Sequence, residues 1–448
     1  MNMVLRYTYT KRISSLEHGQ ALRLLSGKAC LAVAPGQTHK TRAKSAKLGL
    51  VLVCVMWVVV LLSVIMTTVA HTSRLDTRIS LASAEKMRCK WACRAGVETV
   101  IAVLNDDFAT NYSDSFDDLW AGSPADFNDV PLDGCSFTVE VIDEAGKLNI
   151  NTATKEQLME LANMTEEIAD SILDWRDGDD NIREGGAEAG YYVNLPYGYR
   201  NRNGNFRTIR EMLLVKGVTP VLMYGGTGNE IFEKSAGWIN YLTCYSYEKN
   251  VDATGGGRIN INKANENRLR RSLDIKRSYA GWIVENRGDG FEGIGELITD
   301  DSPSKAKRDG GDSDEPQPLD METFFRIADK ITTTDEEMIP GKVNVNTAPA
   351  EVLLALFEGD EKIVEDIITT RNSLANGLAD IGDMGRVKSF TKKAAKNYID
   401  RLTTRSSVFT VHSTSRAHAT GALGKVESVV DRDKSPAKIL YQRTGADY

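Results

Sequence analysis

The pattern Lys147-Leu148-Asn149-Ile150-Asn151-Thr152-Ala153 returns as Arg258-Ile259-Asn260-Ile261-Asn262-Lys263-Ala264 and again as Lys342-Val343-Asn344-Val345-Asn346-Thr347-Ala348. Each copy reaches a leucine shortly after its alanine, at Leu158, Leu269 and Leu353. An apolar run at helical spacing follows and closes on Arg176, Arg287 or Arg371. A pattern that recurs together with its flanks means one structural unit used three times. Its chemistry describes that unit: two asparagines about an apolar residue in an extended segment, then Thr or Asn as a helix cap.

Charge is segregated along the chain. Residues 1–49 hold Arg6, Lys11, Arg12, Arg23, Lys28, Lys40, Arg42, Lys44 and Lys47 against Glu17 alone, although the whole chain carries −7. The remainder is therefore strongly acidic. Leu48 to Ala70 is uncharged and apolar, and as a helix it would extend roughly 34 Å, enough to cross a bilayer. Basic residues before the span and an acidic body after it predict a cytoplasmic amino terminus. The run is too long for the apolar region of a secretory signal, and no small-x-small cleavage site promptly follows it. Instead Gly49 stands directly before it, after Lys44 and Lys47, an arrangement that resembles the leader of type IV prepilin-like proteins.

From Leu50 to Leu104 the only helix-breaking residue is Gly96. Leu75, Ile79, Ala82, Cys89, Cys93, Val97, Val100, Ile101 and Leu104 fall largely on one stripe. A continuous stem helix over 50–104 is expected, roughly 80 Å long, apolar all round at first and amphipathic later. The cysteines have neither disulfide-framework nor zinc spacing. Cys30 precedes the span, Cys54 lies in it, and Cys135 and Cys244 sit in two strand-like runs. A Cys135–Cys244 bridge is conceivable outside the cytoplasm.

Cys135, Phe137, Val139 and Val141 alternate with polar residues as a half-buried strand does. Comparable strands return only at Val408 to Ser413, Lys425 to Val430 and Ala437 to Arg443. The expected fold is α+β: a long amino-terminal helix packed on a small antiparallel sheet, with a large helical insertion of three repeats. The divisions are a basic leader at 1–49, the stem at 50–104 and the first part of the sheet domain at 105–151. Helical unit 1 follows at 152–245, unit 2 with a mobile loop at 246–335, unit 3 at 336–404, and the remaining strands at 405–448.

Tandem helix pairs of this kind resemble helix-hairpin-helix modules. Those that bind nucleic acid use glycine-containing hairpins to bring backbone N–H groups to a phosphate. Here the hairpins read Ala162-Asn163-Met164-Thr165, Leu273-Asp274-Ile275-Lys276 and Glu358-Gly359-Asp360-Glu361. None has a glycine pair, two carry acids, and an acidic body opposes non-specific affinity. No nucleic-acid partner is expected. The ligand candidate is the acidic insertion: Asp174, Asp177, Asp179, Asp180, Glu184 and Glu188, with Gly178, Gly185 and Gly186 among them. Hard oxygen donors without a nearby His or Cys suit Ca²⁺, although the EF-hand spacing is absent. Trp175 and Tyr191-Tyr192 flank the charges and suggest an ordered segment. Asp309, Asp312, Asp314 and Glu315 read as solvated loop. No nucleophile, acid–base or nucleotide-binding signature is present, so no enzymatic role is expected.

Together these pieces resemble the general secretion pathway protein K family of type II secretion systems. The matching residues are Lys47-Leu48-Gly49, the Trp57-containing span, Ala95-Gly96-Val97-Glu98, Asn149 to Ala153, Asp174-Trp175-Arg176-Asp177, Gly186-Ala187-Glu188, Asn205-Phe206 and Tyr441-Gln442-Arg443. The resemblance implies a minor pseudopilin at the tip of a short periplasmic filament, with other minor pseudopilins as partners. It also implies an inner-membrane anchor, cleavage after Gly49 by a prepilin peptidase, methylation of Leu50, and calcium in the helical insertion. Most pseudopilins carry glutamate at the fifth mature position; Cys54 stands there in this chain. An unpaired carboxylate in lipid is costly, and a tip subunit has no neighbour above to pair with it. The chain departs from the family in its long leader, which puts the start at Met1 in question, and in having three signatures where two are usual. The alternative is a membrane-anchored DNA-binding module resembling competence receptors.

Overall fold

The computed structural model describes residues 45–110, 113–122, 127–226, 236–305, 315–433 and 436–445. The leader cations other than Lys47, together with Cys30 and the acids Asp309, Asp312 and Asp314, lie outside the described residues. The chain divides after Leu75 into an amino-terminal unit and a second unit running from Asp76.

One helix runs unbroken over Ser45–Thr110, longer at both ends than the expected 50–104. Its stretch from Leu50 is the one helix among the described residues long and apolar enough to cross a membrane. Leu75, Ile79 and Ala82, expected on the packed stripe, are exposed; burial begins at Cys89 and continues through Ala92, Cys93, Val97, Val100 and Leu104.

That lower face packs on a five-stranded antiparallel sheet made of β1 (Val130–Leu132), β2 (Cys135–Asp143), β3 (Val408–Ala417), β4 (Leu423–Asp431) and β5 (Lys438–Thr444), in that spatial order. β2 and β3 are far apart in sequence yet central neighbours, with Cys135 opposite Ala417 and Val141 opposite Val411. Phe137, Val139, Phe409, Val411, Val426 and Val430 meet the stem in one core with Trp120. Fully burying side chains of this size contributes roughly 1.5–3 kcal/mol each.

Everything between β2 and β3 is the insertion. Its helix pairs are Lys155–Met159 with Glu166–Arg176, Glu266–Leu273 with Arg277–Asn286, and Ala350–Leu356 with Glu361–Ser373. Thr154 and Asn265 cap the first helices of units 1 and 2 as expected, but Pro349 holds that place in unit 3 and makes no side-chain cap. The hairpins turn through left-handed residues without needing paired glycines: Asn163 (φ 63°), Asp274 (φ 51°) and Glu358 (φ 54°). Asn and Asp tolerate this region; Glu358 is followed by Gly359, also at positive φ. The apolar faces of all three units join in a single core, separate from the stem–sheet core.

Candidate functional site

The signature residues do the same structural work three times. The first asparagine turns its Oδ1 to the second asparagine's backbone N–H: Asn149 to Asn151 (2.9 Å), Asn260 to Asn262 (2.9 Å), Asn344 to Asn346 (3.0 Å). The second asparagine then pairs its amide with one distant backbone residue through both atoms. Asn151 grips Phe206, Asn262 grips Phe291 and Asn346 grips Leu378. The closing arginine donates to carbonyls of the same segment: Arg176 to Ile150 and Ala153, Arg287 to Ile261 and Ala264, Arg371 to Val345 and Ala348. Each extended segment also forms a two-residue parallel pair at the unit's far end, with Leu242–Thr243, Ile331–Thr332 and Leu402–Thr403. These asparagines and arginines therefore satisfy buried backbone groups rather than facing a ligand.

The basic residue that opens each signature is buried and paired. Lys147 bonds Glu144 (2.8 Å), Arg258 bonds Glu248 and Asp329, and Lys342 bonds Glu248 (2.9 Å). Burial alone would raise the Glu248 carboxyl, but Lys342, Arg258 and Arg405 outweigh it and hold it well below the usual carboxylate range. Glu248 thus couples the openings of the second and third units.

The acidic insertion forms a different kind of cluster. Asp174 is fully buried on the last turn of Glu166–Arg176. Its Oδ1 and Asp177 Oδ2 each accept from Arg183 Nη1 at 2.5 Å. Glu188 is also buried, with one carboxylate oxygen accepting from Asn201. Its pKa is raised, first by burial and then by the nearby charges of Asp174, Asp177 and Asp180. Asp180 Oδ1 accepts from Asn203 Nδ2 (3.0 Å). Three buried oxygens here lack a hydrogen-bond partner: Asp177 Oδ1, Glu188 Oε1 and Asn203 Oδ1. A Cβ on Gly186 would lie 1.9 Å from Asp174 Oδ2, so only glycine permits this approach. Trp175 packs edge-on against Tyr192 at 5.1 Å and orders the segment.

Of the six acidic candidates, Asp174, Asp177, Asp180 and Glu188 are brought together. Asp179 and Glu184 are exposed, and Asp179 Oδ1 accepts from Asn181 N in a local turn. Arg183, Asn201 and Asn203 belong to the cluster but were not anticipated. The run Arg200-Asn201-Arg202-Asn203 carries a faint signal of it, since Arg and Asn alternate there.

A second carboxylate cluster gives no sequence signal. Asp107, Asp114 and Asp118 hold ligand-type oxygens within 4.8 Å of one another. Arg432 bonds Asp107 (2.9 Å) and Asp114 (2.5 Å), so a guanidinium already occupies the position a cation would take. Burial, with added repulsion from Asp143, pushes Asp114 up to about 7 despite Arg432. A carboxyl raised on folding binds a proton that the unfolded chain releases, so its stabilisation is complete at low pH and is lost as pH rises through 7. Stability should therefore fall more steeply with rising pH between about pH 4 and pH 7 in the native chain than in Asp114→Asn, and the two slopes should converge above that. Urea unfolding at several pH values reads this, the difference between the two slopes approaching one proton, roughly 1.4 kcal/mol per pH unit. Equal slopes would refute it.

The Cys135–Cys244 bridge that the sequence left open is not formed: Cys135 belongs to the stem–sheet core, whereas Cys244 packs against the core of the helical units. The Cys89 sulfur lies 3.9 Å from that of Cys135.

Two family models, both described as type II secretion system protein K, match the chain, one at residues 140–224 and the other at 343–401. The middle signature lies between them and belongs to neither. No curated protein matches. Among solved structures the chain is similar to one chain of the GspK-GspI-GspJ complex from the enterotoxigenic Escherichia coli type 2 secretion system. That likeness has a TM-score of 0.48 and 13% identity, covering 82% of this chain and 99% of that one. The two family matches hold the first signature, the acidic insertion, the third signature from Val343 onward and the end of the first long strand. The chain belongs to the protein K family of type II secretion systems and is a minor pseudopilin.

Proposed function

We propose that this subunit stands at the tip of the secretion pseudopilus as a structural, non-catalytic component, partnered by other minor pseudopilins. The observation that carries this is the single helix, whose apolar first part could be held by a membrane and whose later part packs on the sheet. In this reading the anchor sits in the inner membrane with the amino terminus cytoplasmic and the body periplasmic. Prepilin peptidase removes the leader after Gly49. Co-expression with such a peptidase should yield a mature chain beginning at Leu50 and heavier by one methyl group, read by intact mass and amino-terminal sequencing. An uncut chain, or one cut beyond Ala70, would sink the filament role. The DNA-binding alternative is not favoured: the hairpin residues Asn163, Asp274 and Glu358 are exposed, and two are acidic. Robust retention of duplex DNA in a low-salt gel shift would reverse that ranking.

We further propose that the acidic insertion takes Ca²⁺. The unpartnered oxygens of Asp177, Glu188 and Asn203, all hard donors beside Asp174 and Asp180, support this reading. The ion would supply charge neutralisation and order, tying Glu166–Arg176 to the loop that carries Asn201 and Asn203. Arg183 partly neutralises the same carboxylates and would compete with it. Chelator-stripped protein should gain several degrees in unfolding temperature on adding CaCl₂, and Glu188→Gln should weaken Ca²⁺ binding at least about tenfold by calorimetry. Identical unfolding curves with and without calcium would remove the ion from the account.

A further inference from the structure

Cys89 and Cys135 are both buried, at 0% and 1% exposure, with their sulfurs 3.9 Å apart. Cys89 lies where the stem helix first meets the sheet, and Cys135 opens β2. Backbones are close here as well: a Cβ on Gly424 of β4 would lie 3.0 Å from Cys89 Cβ, so the absent side chain lets the helix sit directly on the strand. Ser415 Oγ donates to the Cys89 carbonyl at 2.8 Å and fixes the helix at that residue. The two sulfurs are in near van der Waals contact on closely packed elements, and a disulfide would bring them to about 2.05 Å.

We propose that Cys89 and Cys135 form a disulfide that fastens the stem helix to the first long strand of the sheet. This rests on the periplasmic placement of the body proposed above, because such bonds persist in oxidising compartments. The other cysteines are poor competitors. Cys93 is one helical turn away with its sulfur against Ser415 Oγ (3.2 Å), Cys244 is in the other core, and Cys54 lies in the apolar span.

The oxidant is a disulfide, either of a thiol–disulfide oxidoreductase or of glutathione. One cysteine, as thiolate, attacks a sulfur of that disulfide and expels one thiol. The second cysteine then attacks the resulting mixed disulfide at the first cysteine's sulfur and expels the other thiol. Two protein thiols are oxidised, one external disulfide is reduced to two thiols, and the protons pass to the departing thiolates. Burial raises the Cys135 thiol above its ordinary value and excludes a bulky oxidant, so the bond must form while the chain folds. Once made, it lets a pull along the stem helix reach the sheet through a covalent link as well as through apolar packing.

The test uses the full chain made in cells, quenched in acid, alkylated without reduction and digested with trypsin. Cleavage after Arg88, Lys90, Arg94 and Lys147 puts Cys89, Cys93 and Cys135 on separate peptides. The expected product is Cys89-Lys90 linked to Ala95–Lys147, with Cys93 and Cys244 alkylated. Cleavage of the body by protease added to spheroplasts of the same cells reports its compartment independently. An accessible body with Cys89 and Cys135 both alkylated, or with Cys135 joined elsewhere, overturns the proposal. A protected body means that the compartment reading has failed. Refolding the detergent-purified chain with oxidised glutathione then decides: the same linked peptide supports the pairing and its absence overturns it. Reduction, or Cys89→Ser, should lower the unfolding temperature by several degrees.

Discussion

Arg371→Ala should destabilise the third helical unit by about 3–5 kcal/mol, a large fraction of a typical domain's stability. Arg371 Nη1 donates to the carbonyls of Val345 (2.8 Å) and Ala348 (2.7 Å), and both residues are fully buried. Each carbonyl left without its donor in a dry core costs roughly 1–3 kcal/mol, and the space left by the guanidinium adds a cavity term. Lysine would not restore the native state, because a single ammonium lacks the planar fork and sits on a shorter stem. Arg287→Ala in the middle unit should cost less: its bond to Ile261 is longer at 3.3 Å, and Ile259 and Asn260 there are only half-buried. Urea unfolding followed by far-ultraviolet circular dichroism compares the two. Equal losses, or a loss under 1 kcal/mol for Arg371→Ala, would contradict the role assigned to the closing arginine.

Gly96→Leu should separate the stem from the sheet. A Cβ at this position would lie 2.6 Å from Ser413 Oγ, 2.8 Å from Val139 Cγ2 and 3.0 Å from Phe137 Cδ2. Glycine in a helix interior costs about 1 kcal/mol relative to alanine, so this glycine is retained for contact rather than propensity. Overpacking usually costs 1–3 kcal/mol, and a leucine aimed at two central strands belongs at about 3 kcal/mol or above. Gly96→Ala sets the clash against the gain in helix propensity and should be much milder. Hydrogen exchange over Ala92 to Leu104 should quicken in Gly96→Leu while the signature segments stay protected. Unchanged protection along the stem would show that the sheet can yield.

Much of the architecture was legible because it repeats or alternates. β2, β3, β4 and β5 coincide within a few residues with the strands read from period-two patterning. The short β1, with Pro131 in its centre, had too little pattern to be seen. The apolar stripe of the stem was read too far toward the membrane, since periodicity reports an apolar face without saying what covers it. The acidic insertion was visible as composition. The choice among its six carboxylates was not, because local spacing carries no information about the loop at 200–203 that folds back on it.

Sequence by itself determined the membrane-length apolar helix, the α+β class, the threefold unit and the family. All of these are patterns within short windows or regular recurrences, and the chain expresses them without knowing its distant neighbours. Tertiary structure decided what the recurring pieces touch. The asparagines turned out to hold Phe206, Phe291 and Leu378, the closing arginines to satisfy carbonyls, and Glu248 to join two units. It also placed Cys135 against Cys89 and gathered Asp107, Asp114 and Asp118 around Arg432, 314 residues beyond the last of them. Such contacts depend on how separate elements close on one another, and the free energy of desolvating and pairing these groups exists only once they have closed.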